Sequence, residues 1–164
     1  MADLINKILK WLASFYIEKP QPPPEPYDSG VAHGDTILQI WEQHNIAWAG
    51  GEQFYLEDEW FHFPNDIADW LEIAYQARTQ CPPYTSNSKE TAGFDCDDVA
   101  DFFPAWAKAK HGFNAVWEVW GDVPDGAHAW NIVMAGDGMY EVEPQTGDAW
   151  VLGTNSSYKA KLVK

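Results

Sequence analysis

Cys96 is the residue whose type and position best suit nucleophilic chemistry. It follows Asp95 at the predicted start of a helix. Unpaired backbone N–H groups and the helix dipole favour an anion there and lower the pKa of a thiol, so we expect a thiolate. The alternative is a small buried apolar residue, which a lone cysteine usually is. Cys81 precedes two prolines in a predicted loop and is interpreted as structural, and both cysteines are expected to be free thiols.

His128 is the predicted general base. It lies in the apolar strand GAHAWNIVM, where its imidazole is either a hydrogen-bonded core group or an oriented base. Glu143, in the next predicted strand, could accept the Nδ1 proton of His128 and stabilise the imidazolium. Glu141 points to the same face of a regular strand and remains the alternative.

Three short motifs carry a resemblance to a known family: GFDCDDVA (93–100), HAWNIV (128–133) and YEVEPQTG (140–147). These motifs follow one another in the order of the transglutaminase-like branch of the papain-like cysteine enzymes. The chain resembles that branch, of bacterial or phage type, over roughly residues 55–152. Residues 59–74 are also similar to the helix that precedes the nucleophile in that family. Two departures stand out. Gly93 lies one place early, and Glu143 precedes Pro144 where the family usually has Asp.

The resemblance implies nucleophilic acyl transfer, with Cys96, His128 and Glu143 as the catalytic residues. The thiolate would attack an amide of a protein or peptide substrate, and a thioester would remain. The backbone N–H of Cys96 would supply part of an oxyanion hole. We expect Trp130 and Trp60 to contact the substrate. The second oxyanion donor stays open among three upstream residues: Gln53, Trp60 and Gln80.

The residues do not distinguish water from an amine as the acceptor. Water makes the protein a cysteine peptidase, amidase or deamidase, and an amine makes it a cross-linking transglutaminase. A third alternative is a catalytically idle structural or binding module of a larger assembly such as a phage virion. No cofactor is expected in any of these cases. His33, His44, His62 and His111 lack metal-ligand spacing, so no metal site is predicted.

Hydrophobic periodicity predicts the elements that position these residues. Helices are expected over 36–45, capped by Asp35, over 65–79 and over 95–110. Alternation and turn signals then predict an antiparallel meander with strands 116–120, 127–134, 139–142 and 149–152. Helices followed by strands indicate an α+β protein. With the resemblance, the expectation is a papain-like (transglutaminase-like) fold with N-terminal helices packed on an antiparallel sheet.

A change of composition near the N-terminus predicts the domain organisation. Residues 1–19 form an amphipathic helix, 20–30 a proline-rich linker, and 31–164 the enzyme domain. The helix either folds back on the body or docks on a protein partner or a membrane surface.

Charge and length narrow the remaining function classes. Ten Lys and Arg against 25 Asp and Glu leave a net charge of −15. This charge excludes nucleic acid as a partner, because nucleic-acid binding depends on basic side chains that neutralise phosphates. No apolar run reaches the ~20 residues of a membrane span, and no secretory signal is recognised. The expected location is cytoplasmic, or virion-associated if the protein is phage-encoded. The ten Trp fill a core or contact a ligand.

Overall fold

The computed structural model describes residues 27–48, 60–85, 93–136 and 138–164. This part of the chain contains three helices and eight strands: β1 (Ser29–His33), α1 (Gly34–Gln43), β2 (Ala47–Trp48), β3 (Trp60–Pro64), α2 (Ile67–Gln80), α3 (Cys96–His111), β4 (Val116–Val123), β5 (Gly126–Ala135), β6 (Gly138–Glu143), β7 (Asp148–Val151) and β8 (Lys159–Val163). The predicted helix 1–19 lies outside the described residues. β1 begins inside the range 20–30 that was assigned to the linker. Within the described ranges, no helix is long and apolar enough to cross a membrane.

Side chains at the helix N-termini set where each helix begins. α1 starts two residues earlier than predicted, because Nδ1 of His33 rather than Asp35 caps it and accepts a hydrogen bond from the Asp35 backbone N–H at 3.2 Å. Asp66 caps α2. At α3, Asp95 and Asp98 form a capping box in which the Asp95 N–H donates to Asp98 Oδ2 at 3.1 Å. The Asp95 cap places Cys96 at the first position of the helix.

The strands form two sheets. The larger has six strands in the order β2-β8-β4-β5-β6-β7, and its pairs are antiparallel except for β2 with β8. The predicted meander corresponds to β4–β7. The smaller sheet pairs β1 with β3. The sequence analysis missed β1, β2, β3 and β8. Residues 60–64, part of the segment compared with a family helix, form strand β3 instead.

Helices pack on opposite faces of the six-stranded sheet. Trp117 pairs with Ile132 and Glu118 with Asn131, so Trp117 and Asn131 point to opposite faces. Asn131 Nδ2 donates to the Ala100 carbonyl of α3 at 2.8 Å. Trp41 of α1 packs edge to face on Trp117, with ring centroids 5.0 Å apart. Three tryptophans, Trp41, Trp70 and Trp130, are fully buried, so core filling accounts for part of the tryptophan content.

Gly121 in β4 permits a close approach of β8 and Trp130. A Cβ atom at this position would lie 2.1 Å from the carbonyl oxygen of Lys159 and 2.6 Å from Cη2 of Trp130. Both separations are far below van der Waals contact. A residue without a side chain is therefore required where β4 pairs with β8.

Candidate functional site

His128 and Glu143 form a hydrogen-bonded pair at the adjoining ends of β5 and β6. Asn131 pairs with Val142, and this register brings Glu143 beside Trp130. His128 lies two residues from Trp130 and so shares its face, and the two rings stack with centroids 6.0 Å apart. Nε2 of His128 lies 2.5 Å from Oε2 of Glu143. The imidazole turns its Nε2 edge toward β6, so the carboxylate contacts Nε2 and not the Nδ1 atom expected from the sequence.

Two further donors hold Glu143, which is buried. The hydroxyl of Tyr158 donates to Oε2 at 3.3 Å, and the backbone N–H of Gln145 donates to Oε1 at 3.2 Å. Hydrogen bonds to a carboxylate are stronger than those between neutral groups. Glu143 is consequently fixed in position, and it orients the imidazole.

Glu141, the alternative acid, is engaged elsewhere. Its Oε1 accepts a hydrogen bond from Nε1 of Trp130 at 3.1 Å, and its Oε2 accepts from Nε1 of Trp150 at 2.7 Å and from the Gly153 N–H at 3.2 Å. Burial raises the pKa of Glu141, and these three donors oppose that effect. Glu141 thus organises the indoles behind the site, while Glu143 contacts the imidazole.

Cys96 lies half-buried at the start of α3, and the backbone N–H of Ala129, the neighbour of His128, hydrogen-bonds to its sulfur. Burial raises the pKa of the Cys96 thiol, and the nearby carboxylates of Asp95 and Asp97 raise it further. The expected thiolate is thus corrected: desolvation and two acidic neighbours outweigh the helix terminus. Both cysteines are free thiols.

The other predicted site residues lie in different settings. Trp130 is fully buried and therefore supports the site from behind rather than touching a ligand. Trp60 is 52% exposed on β3 and packs edge-on against His33, with centroids 5.1 Å apart. Of the open oxyanion donors, Gln80 is exposed and its amide donates to Thr79, and Gln53 lies outside the described residues.

Tyr158 is the main residue of the site that the sequence analysis missed. The centroid of its ring lies 5.9 Å from that of His128, 5.1 Å from that of Trp130 and 4.5 Å from that of Trp150. The contacts with His128 and Trp130 are edge-on, and the contact with Trp150 is tilted. Burial and the charge of Glu143 raise its pKa to about 12, so the hydroxyl stays a donor at neutral pH. Tyr158 lies beyond the stretch covered by the resemblance, and no local pattern marks it. Only the pairing of β8 with β4 brings it to the site.

One group of metal-ligand type occurs in the described ranges. Ligand atoms of Asp95, Cys96 and Asp97 lie within 4.8 Å of one another, and all three residues are half-buried. One thiol and two carboxylates fall short of the four protein ligands of a structural zinc site. The absence of a metal stays a prediction.

No protein-family model and no curated protein matches this chain. Among solved structures, the "PSL1a-E64 complex" shares 22% identity over 81% of this chain and 50% of that chain, with a TM-score of 0.53. Polyporus squamosus lectin, bound to the human-type influenza-binding epitope Neu5Aca2-6Galb1-4GlcNAc, shares 20% identity over 81% of this chain and 49% of that chain, with a TM-score of 0.59. This chain therefore has the fold of the matched part of these proteins and spans about half their length.

These similarities correct the family prediction. One of the two structures is that of a lectin, and neither is described as a papain-like or transglutaminase-like enzyme. The predictions that depended on this family are therefore wrong as well. They are the papain-like fold, the cysteine peptidase, amidase or transglutaminase activity, and the protein or peptide substrate. The physical reason is that a Cys, His and acid in this order describe a side-chain geometry that recurs on unrelated folds, so three short motifs do not identify a family.

Proposed function

We propose that this chain is a ligand-binding module and that its ligand binds at the Cys96–His128–Glu143 site. One observation carries the proposal: His128 is oriented by buried Glu143, yet 19% of its side chain remains exposed. A polar group that is held rigidly and still reaches the surface is what a binding site needs to fix a ligand. Burial raises the pKa of the Cys96 thiol, which lowers the fraction of thiolate at neutral pH.

The ligand class we favour is a glycan. The similar lectin was solved bound to Neu5Aca2-6Galb1-4GlcNAc. Carboxylates, an imidazole and a tyrosine hydroxyl are hydrogen-bonding groups for sugar hydroxyls, and Trp150 and Tyr158 supply half-buried aromatic surface beside His128. The site therefore combines polar groups with aromatic walls, the usual composition of a small-ligand site.

Calorimetric titration tests the proposal with Neu5Aca2-6Galb1-4GlcNAc and with the shorter Galb1-4GlcNAc. We expect saturable binding of at least one glycan. His128→Gln should weaken that binding about tenfold or more, because it removes a hydrogen bond from a group that Glu143 holds in position. His62→Gln, a change at an exposed histidine of β3, is the matched control and should bind as the unchanged protein does. No binding of either glycan, or equal loss in both variants, would refute glycan binding at this site.

A second candidate ligand is E64, favoured by the other similar structure, the "PSL1a-E64 complex". Cys96 is the chemically distinctive group of the site. Calorimetric titration with E64 tests this candidate, with Cys96→Ser and Cys81→Ser as the matched pair. Binding that is lost in Cys96→Ser and retained in Cys81→Ser supports E64 as a ligand of the site. The same result in both variants contradicts it.

A further inference from the structure

His111 is a titratable residue that the candidate site does not use. It is the last residue of α3, whose first residue is Cys96, so the length of the helix separates it from that site. Both ring nitrogens of His111 are buried, and neither has a hydrogen-bond partner among the described residues. A neutral imidazole normally donates from one nitrogen and accepts at the other. Packing, and not hydrogen bonding, therefore holds this ring in place.

Two aromatic rings pack on the imidazole. The ring of Tyr27 lies edge-on to that of His111 with centroids 5.4 Å apart, and Phe113 stacks on it at 6.4 Å with the planes 13° apart. Tyr27 and Phe113 also contact each other, at 5.9 Å. Phe113 is buried in the core beside Trp70. Tyr27 is only half-buried and precedes β1, so it can leave this cluster by a local opening that keeps the core intact.

The charged groups around His111 disfavour a proton on its ring. The last turn of α3 carries two other basic residues, Lys108 and Lys110. Burial lowers the pKa of His111, and the positive charge of Lys110 lowers it further. The carboxylates of Asp69 and Glu72 in α2 act on the phenol of Tyr27, but in the described part of the chain no carboxylate raises the pKa of His111. A protonated imidazole would thus lie unpaired among aromatic rings.

We propose that Tyr27, His111 and Phe113 form an acid-sensitive latch, in which the uncharged imidazole holds Tyr27 at neutral pH and protonation releases it. Charging a buried imidazole that has no acceptor costs free energy, and exposure to water avoids this cost. The docked form is therefore favoured above about pH 6.5, the ordinary pKa of histidine, and is lost as the pH falls below it. Residues 1–26 join the described chain at Tyr27, so release changes where that segment is anchored.

Fluorine NMR of the full chain, labelled with 3-fluorotyrosine, follows the seven tyrosines separately. The resonance of Tyr27 is the one that is missing in Tyr27→Phe. Tyr75, which is 66% exposed on α2, gives the position of a ring in water, and half-buried Tyr158 reports on the rest of the fold. From neutral pH to about pH 5, we expect the ratio of docked to released Tyr27 to fall about tenfold or more. The Tyr158 resonance should keep its position.

Two histidine variants locate the source of the response. His111→Phe keeps an aromatic ring in the cluster and removes the group that takes up the proton, so Tyr27 should stay docked at every pH. His62→Gln, at an exposed histidine of β3, is the matched control and should keep the full response. If His111→Phe does not fold, the titration of His111 in the unchanged protein decides. Its Cε1–H resonance should share its midpoint with the change at Tyr27, below about pH 6.5.

A Tyr27 resonance that does not move as the pH falls would overturn the inference. An equal movement in His111→Phe would overturn it as well, because the proton would then act elsewhere. Joint movement of Tyr27 and Tyr158 would show that acid unfolds the whole protein and that no separate latch exists. Different midpoints for the Tyr27 change and the His111 titration would likewise contradict the coupling of the two rings.

Discussion

Replacing Gly121 with alanine should destabilise the protein and disturb the site. The new Cβ would lie 2.1 Å from the Lys159 carbonyl oxygen and 2.6 Å from Trp130. Neither neighbour moves freely, since the oxygen belongs to the backbone of β8 and the indole is fully buried and hydrogen-bonded to Glu141. The overlap must therefore be relieved by shifting β8 away from β4.

The size of the effect follows from the two rigid contacts. Inserting a methyl group into a packed interior lowers the free energy of unfolding by about 1–3 kcal/mol. Because neither neighbour can yield, we expect Gly121→Ala to lie at the upper end, about 3 kcal/mol. In a protein of this size, 1 kcal/mol shifts the melting temperature by about 2–4 °C, so the expected drop is about 6–12 °C. Tyr158 immediately precedes β8, so its hydrogen bond to Glu143 should weaken as the strand moves.

Urea unfolding at equilibrium measures this cost, with Gly138→Ala as the matched control. Gly138 begins β6, and a Cβ there would meet nothing within 4 Å. The control should change the free energy of unfolding by less than about 1 kcal/mol. Equal stability of the two variants would show that the close approach of β8 to Gly121 does not constrain the protein, and the packing argument would be wrong.

Three further predictions concern the titratable groups. Tyr158→Phe removes a hydrogen-bond donor to Glu143 and should lower the free energy of unfolding, measured in urea, by about 0.5–1.5 kcal/mol. Tyr75→Phe, a change on the exposed surface of α2, is the control and should have no effect. Equal effects of the two variants would contradict this prediction. Burial raises the folded-state pKa of Glu141, so its contribution to stability is greatest below its unfolded pKa of about 4.3 and is lost as pH rises through the folded value. Melting temperatures from acid to neutral pH should show this loss in the unchanged protein but not in Glu141→Gln, and parallel curves would refute it. For Cys96, the alkylation rate with iodoacetamide should reach its plateau at a higher pH than for free cysteine, since its pKa is raised; a plateau at lower pH would show that the helix dipole dominates.

Local sequence patterns predicted the elements that carry the site. The spacing of apolar residues located α1, α2 and α3 to within two residues at their starts, because one face of each helix is buried. Alternation and turn residues located β4–β7 for the same reason. The short strands β1, β2, β3 and β8 were missed because their pairing partners lie far away in the chain, and distant pairing leaves no local period.

The choice between Glu141 and Glu143 shows what only the tertiary structure decides. Both point to one face of β6, and the sequence alone determined that an acid would lie near His128. The indoles of Trp130 and Trp150 occupy Glu141, so Glu143 is left for the imidazole. The pKa of Cys96 shows the same division. The flanking carboxylates of Asp95 and Asp97, which raise it, are visible in the sequence, whereas burial, the largest cause, exists only in the assembled fold.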